Sequence, residues 1–249
     1  MKNTLLIIFL LFGYSVLGQK VKVDTFHVVL KELEGMEEEL MLGDLYFPLV
    51  QTGNEQIDRT INADLKKRFF YDQYLAQSLG DALSEWGGTT LADINFAVTY
   101  NQNNILSLNV YYMYCDANCI TTTEYFNYST VTGEFLEISD IVDFNDDFKS
   151  LVKQDKTKQY AQEKSLLTEK LNDPELSLEP SEIEEQYEYL VGLYEDCENF
   201  DNFQRFSIHS DGLEIINGCE LPHFIQFFTP EITLKYSMST IKNFLKVKL

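Results

Sequence analysis

The feature that most constrains the fold is an alternation of apolar and polar residues through the middle of the chain. Apolar side chains occupy every second position in the segments 94–100 and 106–112, with the polar turn 101–104 between them, and similar runs follow at 120–128 and 135–141. Alternation with period two is typical of half-buried strands, and short polar turns join antiparallel neighbours. The sequence therefore predicts an antiparallel meander. Because hairpins need no crossover helices and no glycine-rich phosphate-binding motif is present, we do not expect a doubly wound nucleotide-binding fold.

Two more strands and two helices are predicted before the meander. The strands fall at about 21–28 and 40–49. Asn54 is a suitable cap for a helix whose apolar residues recur every fourth position. These residues are Ile57, Ile61, Leu65 and Phe69. The same spacing continues at Leu75, Leu79, Leu83 and Trp86 and stops at Gly87 and Gly88, which predicts a second helix.

The C-terminal part reads as helices followed by short strands. A long helix is predicted from Asn145 to about Leu171, then a linker at 172–180, then a helix that Ser181 and Glu184 start as a capping box and that runs through Leu193. Short strands are expected at 203–209, 213–216 and 231–236, before a final short helix. The predicted fold class is α+β, an antiparallel sheet meander packed with helices. An N-terminal α+β part spans 19–143, and a helical and short-strand part at 144–249 is expected to pack with it as one unit.

Residues 1–18 have the features of a secretory signal peptide. Lys2 precedes an apolar run at 5–12, and small residues lead to Gly18. A membrane anchor is the alternative, but the apolar stretch is shorter than the roughly 18–20 residues that a spanning helix needs. We expect cleavage before Gln19, no later membrane span, and a secreted or periplasmic location.

Four cysteines remain after the signal peptide, namely Cys115, Cys119, Cys197 and Cys219. An even number in an oxidising compartment favours two disulfides, and this spacing is not a zinc pattern. Three connectivities are possible. A bridge from Cys115 to Cys119 is plausible because two strand-like runs meet there, and it would leave Cys197 with Cys219. We expect a disulfide-stabilised fold.

The charge is strongly negative and unevenly placed. Without the signal peptide the formal charge is 18 − 40 = −22, which disfavours nucleic acid as a partner because polyanion binding needs clustered Lys and Arg. The segment 173–201 holds 11 carboxylates and no Lys or Arg. Glu182, Glu185 and Glu188 lie there at helical spacing. They form either a solvated helix face or a surface that steers a cationic partner, and we keep them as ligand-binding candidates.

No catalytic constellation is evident. The three histidines are scattered, the nucleophile-elbow sequence is absent, and with 40 carboxylates some proximity is expected by chance. We therefore assign no catalytic, cofactor-binding or metal-binding residue. Tyr111, Tyr112 and Tyr114 belong to a group of aromatic residues on adjoining predicted strands, so one face belongs to the core and the other is a candidate binding surface.

The order of several short motifs resembles one extracellular domain family. The motifs are 53–57 with 61–62, then 105–108, 125–128, 132–134, 138–141, 206–213 and 232–236. That family occurs in the sensor region of the lysozyme-responsive anti-sigma factor RsiV and beside the catalytic domain of the peptidoglycan deacetylase PdaC. The resemblance implies an α+β domain that is not catalytic in itself and works at the cell envelope.

We therefore expect a secreted or periplasmic binding domain, not an enzyme, that recognises a cell-envelope glycan or a cationic envelope-active protein such as a lysozyme. Two alternatives stay open. One is a peptidoglycan-acting hydrolase that uses carboxylates, and the other is a structural envelope protein.

Overall fold

The computed structural model describes residues 20–29, 44–87, 91–115, 119–176, 179–200, 203–219 and 221–249. A five-stranded sheet occupies the N-terminal half, with its strands side by side in chain order. Its strands are β1 (Lys22–Val29), β2 (Asp44–Gln51), β3 (Leu91–Gln102), β4 (Ile105–Cys115) and β5 (Cys119–Ser129). The predicted signal peptide and its cleavage position lie outside the described residues. Within the described ranges, no helix is long and apolar enough to cross a membrane.

The predicted meander is confirmed in β3, β4 and β5, which pair antiparallel. Leu106, Leu108 and Val110 of β4 turn towards the helices and are fully buried. The alternate residues Ser107 and Asn109 are also buried, although they are polar. Both faces of β4 are therefore covered. Its apolar residues form an interface with the helices, and its alternate residues form a polar interface on the other face.

One strand pair differs from the meander, because β2 and β3 are parallel, with Leu45 opposite Ile94. Two helices connect these strands, α1 (Glu55–Phe69) and α2 (Leu79–Gly87). Parallel neighbours require such a crossover, since a tight turn can only reverse the chain. The sheet is mostly antiparallel rather than wholly so.

The helix α1 follows its prediction closely. The Asn54 side-chain oxygen accepts hydrogen bonds from the backbone N–H groups of Gln56 and Ile57, at 3.0 and 3.4 Å. Ile61 and Leu65 are buried against the sheet. The next helix starts one turn later than predicted, because the chain after α1 makes a turn and leaves Leu75 54% exposed.

The predicted strand at 135–141 is wrong beyond its first residue. Phe135 forms a single bridge with Tyr128, and the chain then enters the short helix α3 (Ile138–Ile141). The Asp140 carboxylate accepts a hydrogen bond from the Glu137 backbone N–H at 2.9 Å, and the Glu137 side chain accepts one in return, which forms a capping box. Reciprocal capping starts the helix despite the alternating pattern.

The C-terminal half consists of two long helices and a smaller sheet. The helices are α4 (Asp146–Leu171), capped by Asn145, and α5 (Pro180–Asn199). The sheet is an antiparallel meander of β6 (Phe206–His209), β7 (Gly212–Asn217) and β8 (Ile232–Ser237), followed by α6 (Met238–Ile241).

The predicted start of α5 is wrong by two residues. Its N-cap is Glu179 and its capping-box partner is Glu182, instead of Ser181 and Glu184. Pro180 occupies the first turn, where its missing N–H is not needed. This shift gives Glu182 a structural role.

Two apolar cores meet along a polar seam. One core lies between α1, α2 and the first sheet. The other core lies among α4, α5 and the second sheet, and the first sheet contributes Tyr100 and Ile105 to it. Buried hydrogen bonds join the sheets, including those from Asn127 Nδ2 to the Phe206 carbonyl at 2.9 Å and from the Ile208 N–H to Ser107 Oγ at 3.1 Å. The seam gives hydrogen-bond partners to Ser107, Asn109 and the side-chain nitrogen of Asn127, whereas Asn127 Oδ1 has none among the described residues. The division at 143/144 stays a prediction.

Both disulfides have the pairing that the hairpin argument favoured. Cys115 pairs with Cys119 at the neck between β4 and β5, and Cys197 of α5 pairs with Cys219 after β7. The α+β, disulfide-stabilised fold class is thus confirmed.

Candidate functional site

A cleft of about 630 Å³ straddles the outer edge of β5. It lies between the C-terminal end of α1 on one side and α3 with the segment before β6 on the other, and its volume is within the range of small-ligand sites. The lining residues are Asp64, Lys67, Arg68, Tyr71, Asp72, Glu124, Tyr125, Phe126, Phe135, Glu137, Ile138, Ser139, Phe144, Phe203, Gln204 and Arg205.

Aromatic rings supply much of the wall. Phe144 and Phe203 lie with ring centroids 5.2 Å apart, and the Arg68 guanidinium lies 3.7 Å from the Phe135 centroid. Tyr71 is 61% exposed although its ring is large and apolar. Exposed rings beside polar groups are typical of binding surfaces.

The backbone at Tyr71 adopts an unusual conformation. Tyr71, Asp72 and Tyr74 have φ values of +50°, +64° and +54°, in the left-handed region that non-glycine residues seldom occupy. The Tyr71 hydroxyl donates to Glu124 Oε1 at 2.5 Å and lies 3.4 Å from the Tyr112 hydroxyl. Burial, together with the hydrogen bond to Glu124, raises the pKa of the Tyr71 phenol. Strained backbone that persists at a cleft is a reason to look for function there.

Asp64 is the best-anchored carboxylate of the cleft. Its Oδ2 accepts a hydrogen bond from Arg68 Nε at 2.7 Å and another from the Tyr128 hydroxyl at 3.1 Å. Tyr128 is fully buried, and burial followed by the nearby Asp64 charge raises the pKa of its phenol. This network ties α1 to β5.

The other three cleft carboxylates also have partners. Asp72 forms an ion pair with Lys67 at 3.5 Å, Glu124 accepts from the Tyr71 hydroxyl, and the Glu137 side chain caps α3. All four carboxylates therefore already accept hydrogen bonds or hold ion pairs within the protein.

Arg205 lines the cleft from the side of the second sheet. Its Nη2 donates to the Thr123 carbonyl of β5 at 2.9 Å, and its guanidinium carbon lies 5.6 Å from the centroid of the Tyr125 ring. Burial raises the pKa of the Tyr125 phenol, and the positive charge of Arg205 opposes that shift.

The three tyrosines proposed from sequence lie on β4 and do not line the cleft. Tyr111 is 38% exposed, Tyr112 is buried in the core between Phe69 and Trp86, and Tyr114 is half-buried. Only Tyr112 touches the cleft network, through its hydroxyl. Their role in ligand binding stays a prediction.

The three proposed glutamates share the exposed surface of α5. Glu182, Glu185 and Glu188 are all exposed, and Glu182 Oε2 accepts a hydrogen bond from the Glu179 backbone N–H at 2.7 Å. They are not part of the cleft.

Sequence reasoning missed most of the cleft because its members come from distant segments. Tyr125 and Phe126 belong to a motif singled out from sequence, whereas Tyr71, Phe135 and Arg205 do not. One signal was available: Arg205 is the first basic residue after Lys170, beyond the acid-rich segment.

The fold matches solved structures, although no protein-family model and no curated protein matches the chain. A DUF3298 family member from Bacteroides fragilis superposes with a TM-score of 0.55 at 12% identity, covering 92% of this chain and 95% of that one. A DUF3298 family protein from Pseudomonas aeruginosa gives 0.50 at 9% identity, covering 91% and 94%. At these identities the likeness shows the fold alone, and it is consistent with an uncharacterised domain family.

Proposed function

We propose that this protein is a secreted or periplasmic, non-catalytic binding domain that holds a cell-envelope glycan in the cleft at β5. The observation that carries the proposal is that one cleft of about 630 Å³ combines exposed and half-buried aromatic rings with fixed polar groups. The two disulfides support an oxidising compartment. The resemblance of the motif order to the RsiV and PdaC domain family supports an envelope role.

A glycan suits the two kinds of surface in this cleft. The flat face of a sugar ring carries C–H groups that pack on aromatic rings such as those of Tyr71 and Tyr125, while its hydroxyls need fixed donors and acceptors at the ring edge. Arg68, Arg205 and Glu124 lie in positions to supply them.

The partnered carboxylates favour binding over hydrolysis. A glycoside hydrolase needs one carboxyl held protonated and a second one free to act as base or nucleophile. In this cleft Asp64 and Asp72 are held by Arg68 and Lys67, and Glu137 caps a helix. With Glu124 bound to the Tyr71 hydroxyl, all four described carboxylates of the cleft have partners within the protein, which supports a binding role.

The proposal is tested by measuring the binding of soluble peptidoglycan fragments and chitooligosaccharides by calorimetry. Tyr125→Ala should weaken binding by about tenfold or more, as expected for truncation of an aromatic contact at the centre of a site. Tyr189→Ala is the control, because this exposed tyrosine of α5 does not line the cleft, and it should bind like the wild type. A similar loss in both variants would refute the cleft as the glycan site, and release of glycan fragments would refute the non-catalytic role.

A second candidate is recognition of a cationic envelope-active protein such as a lysozyme. It is supported by the exposed glutamates of α5 and by the lack of Lys and Arg between 173 and 201. It uses a different surface from the cleft, so the two candidates can be separated by variants of α5.

A further inference from the structure

The guanidinium of Arg205 is held in one place by three neighbours. Nη2 donates to the Thr123 carbonyl, the guanidinium carbon lies 5.6 Å from the Tyr125 ring centroid, and a methyl group built on Gly218 would lie 3.0 Å from Nη1. A glycine is therefore required beside it for this position to be undisturbed. The guanidinium group is therefore preorganised, which lowers the entropic cost of binding a planar group.

Arg205 forms no ion pair within the described part of the chain. Arg68 pairs with Asp64 and Lys67 pairs with Asp72, whereas no carboxylate of the described residues forms an ion pair with Arg205. Its Nε is buried and has no acceptor in that part of the chain. A buried donor without an acceptor is costly, and in native structures it usually marks a group that a ligand or water satisfies.

Two carboxylates lie near this side of the cleft. Glu214 of β7 contributes to the raised pKa of Tyr125 and forms ion pairs with His209 and Lys235. Glu124 lies on the opposite face of β5 from Thr123 and Tyr125 because successive side chains alternate. It accepts a hydrogen bond from Tyr71. The side of the cleft at Tyr125 therefore presents a cation and an aromatic ring together.

We propose that the glycan held by this cleft carries a carboxylate on its sugar ring, as a uronic acid does, and that Arg205 binds this carboxylate while Tyr125 packs on the ring. This assignment rests on the proposed glycan-binding function and adds the class of sugar. Guanidinium groups bind carboxylates through two parallel hydrogen bonds, which gives both strength and orientation.

The test compares two ligands that differ only at their carboxyl groups, a galacturonic acid trimer and its uncharged methyl ester, at 0.15 M NaCl. This salt concentration screens the negative charge of the whole protein beyond about 8 Å and leaves the contact in the cleft. The wild type should bind the acid about tenfold to a hundredfold more tightly than the ester, as expected for a charged hydrogen-bonded pair.

Three variants locate the effect. Arg205→Gln should remove the preference for the acid, so that the variant binds the acid and the ester with similar affinity. Gly218→Ala keeps the arginine and should reduce the preference several-fold, because the added methyl group displaces the end of a flexible side chain rather than backbone. Arg59→Gln removes an exposed arginine of α1 that does not line the cleft and should behave like the wild type.

Equal affinity of the wild type for the acid and the ester would overturn the acidic-sugar assignment while the glycan-binding proposal stands. A preference for the acid that survives in Arg205→Gln would overturn the role of Arg205. Failure to bind either trimer or any neutral oligosaccharide would refute both proposals. If Arg205→Gln does not fold, Gly218→Ala decides, and an unchanged preference in that folded variant would count against the assignment.

Discussion

Two leucines in and after α1 give a matched test of the core at the residue scale. Leu65 is fully buried and Leu75 is 54% exposed. Leu65→Ala should lower the free energy of unfolding by about 2–5 kcal/mol because it leaves a cavity, whereas Leu75→Ala should change it by less than about 0.5 kcal/mol. Urea unfolding measures both, and similar losses in the two variants would mean that α1 faces the sheet differently.

The same two residues show what local spacing can predict. Leu65 was predicted to be buried because apolar residues recur every fourth position around it, and α1 extends through all of them. Leu75 continued the spacing, yet the positive φ values at Tyr71, Asp72 and Tyr74 end α1 before it. Backbone strain in aromatic residues leaves no mark in the sequence, so neither this turn nor its cleft was predicted.

At the scale of elements, variants of α5 test whether its acidic residues only keep the protein soluble or also attract a cationic partner. We expect the association rate with a lysozyme to fall as NaCl rises from 0.1 to 1 M, since the Debye length shortens from about 10 to about 3 Å. Glu185→Gln with Glu188→Gln should lower the rate at low salt and flatten this dependence. Glu182 is left unchanged because it caps the helix.

The matched control for this experiment is Glu55→Gln with Glu85→Gln, which removes the same charge from exposed positions on α1 and α2. Surface kinetics at both salt concentrations gives the rates. If the two double variants lower the association rate equally, the glutamates of α5 act only through the net charge of the protein.

The elements also show where sequence patterns are ambiguous. Two capping boxes overlap at the start of α5, and Pro180 selects the earlier one because proline is accepted in the first helical turn. The parallel pairing of β2 and β3 depends on where the chain rejoins the sheet after α1 and α2. Local patterns do not contain that information.

At the scale of the whole molecule, buried phenols make stability depend on alkaline pH. Tyr128, Tyr160 and Tyr194 are fully buried, and burial raises the pKa of each above its usual value near 10. Above pH 10 the unfolded chain releases these protons while the folded protein retains them. The contribution of these tyrosines to stability should therefore be fully present below pH 10 and decline above it, by up to about 1.4 kcal/mol per pH unit for each tyrosine.

Urea unfolding at pH 8, 10 and 11 tests this dependence. Tyr128→Phe should make the decline above pH 10 shallower, whereas Tyr189→Phe, at a side chain that is 44% exposed, should leave it unchanged. An equal decline in both variants would mean that the alkaline loss has another origin.

The candidate site belongs to the scale of the whole molecule as well. Fold class and disulfide pairing were accessible from sequence because they depend on period, turn positions and cysteine count. The cleft depends on how α1, β5 and the segment before β6 meet, and Arg205 reaches Thr123 across that junction. No motif of one segment specifies it.

The outer edge of β5 is closed at intervals along its length. The Asn127 carbonyl accepts from the Leu136 N–H, the Ser129 N–H donates to the Glu134 carbonyl, and the Thr123 carbonyl accepts from Arg205. An incoming strand from another molecule would have to break these bonds before it could extend the sheet, so this edge is protected against amyloid-like stacking. Arg205 thus also protects this edge of the sheet against pairing with another molecule.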